Sequence, residues 1–115
     1  MHSSIKHISP NNLLRIAAWA YTLFLLGISL YPLPDLHWAH GSDKTVHFFM
    51  YFILFALWHK PAAGYGGWRL AVVLILLGIM VEVLQAVLPL NRTGDVWDAT
   101  ANALGVLTAL YVCRG

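Results

Sequence analysis

Residues 68–88 read WRLAVVLILLGIMVEVLQAVL, apolar except for Arg69 at the start and Glu82 and Gln85 towards the end. About 20 consecutive apolar residues wound as an α-helix cross a hydrocarbon core of about 30 Å. In lipid such a segment has to satisfy its backbone internally, which selects the helix. Three more apolar runs accompany it, at 13–31, 45–59 and 96–112. In chain order the first three of the four runs are closed by breakers: Pro32-Leu33-Pro34 after 13–31, KPAAGYGG over 60–67 after 45–59, and Pro89 after 68–88. The pattern predicts an all-α integral membrane four-helix bundle formed by a single domain over 1–115. The second run is the weak one. About 15 residues at 1.5 Å each reach only about 22 Å, so that helix starts early, near Ser42, or sits in thinned lipid.

The composition agrees. The chain is 59% hydrophobic and 10% charged, with a mean hydropathy of +0.67, whereas soluble domains carry about 25% charged residues. A net charge of +2, scattered along the chain, gives no basic face for nucleic acid. Cys113 is the single cysteine, which excludes an internal disulfide and a cysteine metal cluster. The first run follows Lys6 and Arg15 as a signal peptide would. It is too long for a signal h-region, however, and Ile28-Ser29-Leu30-Tyr31 offers no small-residue cleavage site, so it reads as a retained anchor.

Basic residues set the orientation. Lys6, Arg15, Lys60, Arg69 and Arg114 fall on one side, Lys44 and Arg92 on the other, which places both termini in the cytoplasm. The acidic residues Asp35, Asp43, Glu82, Asp95 and Asp98 then all lie in the outer half. Insertion does not require that asymmetry, so it points to an outward-facing polar site.

Three helix ends supply the site. Asp95, Asp98, Asn102 and Gly105 share one face of the fourth helix, with Arg92 just before it. Asp43, His47 and Tyr51 share a face of the second, beside Lys44, and Gly78, Glu82 and Gln85 share a face of the third. Glu82 lies roughly 10 Å inside its helix end. A charge at such depth costs on the order of 2.5–3.5 kcal/mol, which calls for a partner among Lys44, His47 and Arg92. Blander readings stand beside these. Asp43, Asp95 and Asp98 can act as helix caps, His47 can bond a backbone carbonyl, and Glu82 and Gln85 can hold helices together. His37, His40, Asp43 and His47 have a spacing that suggests a metal, but His37 and His40 lie on a loop bounded by Pro and Gly. No HExxH helix is present either, and we assign no metal and no cofactor. Ala101, Gly105 and Ala109 form a small-residue series suited to packing inside the bundle, with self-association through helix 4 as the alternative.

Asp43-Lys44-x-x-His47, Glu82-x-x-Gln85, Arg92 and Asp98-x-x-x-Asn102-x-x-Gly105, in this order on successive membrane helices, resemble the VanZ-like membrane protein family. The resemblance runs over 42–105, and the first helix fits by position. It implies a small bacterial membrane protein of the cell envelope; the family's name member confers low-level teicoplanin resistance. On this basis the expected function is binding or modification of an envelope amphiphile, a lipid-linked glycan or phosphate. Lys44 and Arg92 would hold an anionic headgroup. Glu82 or His47 would act as general acid or base, with Asp98 a third catalytic candidate; Asp43 would contribute to substrate binding, and Gln85, Asp98 and Asn102 would orient the partner groups. Ser42, Thr45 and Thr93 form no triad with a base, so no nucleophile stands out. The competing expectation is a non-enzymatic scaffold whose polar cluster is an ion-pair network. A proton path is unsupported, because the inner half carries no acidic residue.

Overall fold

A computed structural model of the chain describes residues 9–31, 43–88 and 96–113. It is all-helical: α1 (Pro10–Leu30), α2 (Asp43–His59), a 3-10 turn (Ala63–Tyr65), α3 (Gly67–Val87) and α4 (Val96–Cys113). α1 begins three residues before the expected Leu13, and the reason is local. Ser9 is the N-cap, its hydroxyl accepting the Asn12 N–H at 3.1 Å, and Pro10 occupies the first turn where its missing N–H costs nothing. The helix stops at Tyr31, whose extended backbone (φ −72°, ψ 130°) is what a following proline demands. α2 starts two residues before the expected Thr45 and still has only 17 residues. In the 60–67 turn, Gly66 has φ +88°, a conformation that favours glycine, and it starts α3 directly.

The contacts define an up-down-up-down order. His47 meets Asn102 and Phe48 meets Gly105, so α2 and α4 run parallel and share the largest interface. α3 runs against both, with Glu82 near His47 and Gly67 near Leu110. α1 is tied on by three hydrogen bonds: Tyr21 Oη to the Met50 carbonyl at 2.8 Å, Trp58 Nε1 to Thr22 Oγ1 at 2.9 Å and Gln85 Nε2 to the Ser29 carbonyl at 2.6 Å. The C-terminal ends of α1 and α3 and the N-terminal ends of α2 and α4 therefore lie together.

Close approach along the α2–α4 seam depends on Gly105, where an added Cβ would run into the Phe48 backbone carbonyl. Ala101, Gly105 and Ala109 are all buried, and Ala109 packs in the core with Leu54, Phe55 and Val106. The small-residue face of α4 is thus covered within one chain.

The surface is the reverse of what water selects. Leu23, Phe24, Val73, Leu76 and Val83 are exposed, while Thr22, Ser29, Glu82, Gln85, Asp98 and Asn102 are buried. Contiguous apolar exteriors on this scale mark a surface meant for something other than water. α1, α3 and α4 are each long and apolar enough to cross a membrane. Exposed tyrosine and tryptophan side chains occur at both ends, Tyr31 and Trp97 at one and Tyr65, Trp68 and Tyr111 at the other, while Trp19, Phe24 and Phe49 are exposed along the helices between them.

Candidate functional site

The polar residues meet where α2, α3 and α4 converge, and two glycines make the convergence possible. Beside Gly105, Gly78 admits its neighbours so closely that a Cβ there would lie 3.2 Å from the Asn102 amide nitrogen and 3.3 Å from the Tyr51 ring. Into this junction α2 sends Lys44, His47 and Tyr51, α3 sends Glu82, and α4 sends Asp98 and Asn102.

His47 sits at the centre. Its Nδ1 is 3.0 Å from Asn102 Oδ1, where an Nδ1–H donates to the amide oxygen, and 4.0 Å from Glu82 Oε2. Lys44 Nζ lies 3.9 Å from Asp98 Oδ1. Glu82 and Asp98 are each 6% exposed, whereas the Lys44 side chain is half-exposed. The pairing thus links a buried anion to a cation that remains in contact with the surroundings, and such a cation can turn away at little cost. Two buried polar atoms, Tyr51 Oη and Asn102 Nδ2, have no hydrogen-bond partner among the described residues. The Tyr51 phenol lies within electrostatic reach of the Glu82 carboxylate.

Of the residues singled out from the sequence, Lys44, His47, Glu82, Asp98 and Asn102 come together. Asp43 is the first residue of α2. Arg92 and Asp95, like His37 and His40, lie outside the described residues. Gln85 parts from the group: its amide donates to the Ser29 carbonyl and fastens α1 to α3. The polar ties of α1, through Tyr21, Thr22 and the Ser29 carbonyl, lie outside the residues that the sequence singles out. A signal for them exists, because Ala18, Thr22, Leu25 and Ser29 recur at spacings of four, three and four and form the buried face of α1.

Beside the cluster, α3 and α4 enclose an apolar groove of about 570 Å³. Ile75, Ile79, Val83, Ala99 and Ala103 line it, and Glu82 forms part of its wall. Of the clustered side chains it is Glu82 that lines the groove, so a molecule with one charged and one greasy end would meet the cluster there. None of the family models, curated proteins or solved structures compared with this chain matches it.

Proposed function

We propose that this chain is a VanZ-like multi-pass protein of the bacterial cytoplasmic membrane. In this reading both termini face the cytoplasm, and an outward-facing site binds an envelope amphiphile such as a lipid-linked phosphate or glycan. The apolar exterior and the aromatics at both helix ends favour a bilayer as surroundings, since tyrosine and tryptophan concentrate at its interfaces. Arg15, Lys60 and Arg69 belong to the end opposite the polar site, which fits a cytoplasmic location for that end.

One observation carries the binding reading: the α3–α4 groove is apolar along its length and has Glu82 in its wall. A hydrocarbon chain in the groove would bring its headgroup to Glu82, whose carboxylate is 4.0 Å from His47 in the cluster that also holds Asp98 and Lys44. His47, Glu82 and Asp98 are also the acid–base groups that a chemical step would need. A second reading has its own support. The contacts Lys44–Asp98 and His47–Asn102 both bridge α2 and α4, as they would in a scaffold held together by its polar cluster.

Glu82→Gln and Asp98→Asn separate the two, because they keep shape and remove charge. Under the binding reading both variants accumulate as folded protein but lose the envelope lipid that mass spectrometry finds on the wild type. Cells carrying them also lose any glycopeptide phenotype. Poor accumulation of both variants, or a wild type that purifies with no envelope lipid, would favour the scaffold.

A further inference from the structure

The geometry points to a divalent-cation site formed by His47, Glu82 and Asp98 at the junction of α2, α3 and α4. One imidazole nitrogen of His47 and one carboxylate oxygen each of Glu82 and Asp98 lie within 4.8 Å of one another. The three come from three different helices, so their spacing is set by the packing of the bundle and not by local sequence. Only His47 is shared with the loop arrangement of His37, His40 and Asp43 that the linear spacing suggests.

The donor set selects the ion. Imidazole with carboxylates suits zinc and its first-row neighbours, while magnesium and calcium prefer oxygen alone. Zinc holds nitrogen and oxygen ligands at about 2.0–2.2 Å in a tetrahedron, which sets neighbouring ligands about 3.4 Å apart. His47 Nδ1 and Glu82 Oε2, at 4.0 Å, need less than 1 Å of side-chain movement to reach that spacing. Asn102 Oδ1, 3.0 Å from the same imidazole nitrogen, is an additional oxygen within reach.

A second observation is independent of the cluster. Tyr51 Oη and Asn102 Nδ2 are buried without hydrogen-bond partners among the described residues, in side chains that are 2% and 1% exposed. Tyr51 stands one turn from His47 and within electrostatic reach of Glu82, and the Asn102 amide already touches His47. Buried donors call for acceptors. The remaining ligands of a bound cation, a hydroxide or an anionic oxygen, are acceptors of the kind these donors lack. Lys44 is the natural competitor for Asp98, and its half-exposed side chain can yield that carboxylate to the ion. This site stands whether or not an amphiphile binds in the groove.

The test uses the full chain in dodecyl maltoside, stripped with a chelator and titrated with zinc chloride by calorimetry. Cobalt(II) absorption and zinc-edge X-ray absorption report the ligands. One equivalent is expected, with one imidazole and the rest oxygen. His47→Gln, Glu82→Gln and Asp98→Asn should each weaken binding about tenfold or more, and Lys44→Gln should tighten it. A His37→Gln/His40→Gln double variant should bind as the wild type does. Should any variant fail to fold, Lys44→Gln and the wild-type ligand spectrum still decide. The site is overturned by an absence of binding, by stoichiometric binding that survives Glu82→Gln and Asp98→Asn, or by binding that disappears with His37 and His40.

Discussion

The most exacting test of this architecture is one methyl group. Alanine at Gly105 puts a Cβ against the Phe48 carbonyl oxygen, with the carbonyl carbon at 3.0 Å and the Cα at 3.2 Å. The obstacle is the backbone of a helix, which has no rotamer to change, so α2 and α4 have to move apart. A gap of about 1 Å forfeits up to roughly half of each dispersion contact along the seam, and overpacking of this kind costs about 1–3 kcal/mol. Against that, replacing a helical glycine by alanine contributes about 1 kcal/mol of propensity. The net loss for Gly105→Ala is up to about 2 kcal/mol, the immovable backbone placing it at the upper end of that range. Gly78→Ala meets side-chain atoms at 3.2–3.3 Å that can yield a little, so its two terms nearly cancel. Gly27→Ala meets nothing within 4 Å and should be neutral or stabilising by up to about 1 kcal/mol. Unfolding in mixed dodecyl maltoside and dodecyl sulfate, followed by tryptophan fluorescence, ranks the three. The expected order of stability is Gly27→Ala, Gly78→Ala, Gly105→Ala, from most to least. Wild-type stability for Gly105→Ala, or any reversal that puts Gly27→Ala last, would refute the parallel α2–α4 contact.

Other outcomes follow from single contacts. Gln85→Leu removes the donor to the Ser29 carbonyl and should destabilise by about 1–2 kcal/mol, with cleavage of the chain ahead of α2 by added protease becoming faster. Trp58→Phe loses the bond to Thr22 and the edge-on contact with Trp19, whose ring centroid is 5.0 Å away; a loss of about 1–2 kcal/mol in the same unfolding assay is expected. In chelator-stripped protein, Tyr51→Phe removes a buried hydroxyl that has no hydrogen-bond partner among the described residues, so stability should hold or rise by up to about 1 kcal/mol. A clear fall in the unfolding midpoint would show that this hydroxyl is bonded in the folded chain.

The sequence shows the helices well because their ends are written in breakers: Pro32, Pro89 and the glycines of 60–67 stop the helices near where the apolar runs stop. The start of α1 was hidden because Ser9 and Pro10 sit in a polar tail, where periodicity is silent but capping chemistry is not. The gathering of Lys44, His47, Glu82, Asp98 and Asn102 is legible as three polar helix faces at one end. The partner of Gly105 on α2 is not, since spacing along one helix carries no register to another. Gln85 shows the limit of reading faces from spacing. Three residues along a helix leave about 60° between side chains, enough for Glu82 to face α2 while Gln85 faces α1. Asp98 and Asn102, four apart and about 40° from each other, stay together.

The parallel pairing of α2 with α4 also sets an order of assembly. During synthesis α1 emerges first, and its buried Thr22 already bonds the Ala18 carbonyl one turn back at 2.7 Å, so this helix can wait alone. α2 follows, then α3 carrying Glu82, yet Asp98 and Asn102, the groups on α4 that meet this part of the bundle, come last. The nascent chain therefore holds an acidic side chain and a helix of only 17 residues through the interval in which α4 is still being made. In the bilayer proposed above, shelter for α2 and α3 until α4 arrives would suit such a fold, and slowing translation between Gly67 and Val96 should expose that dependence.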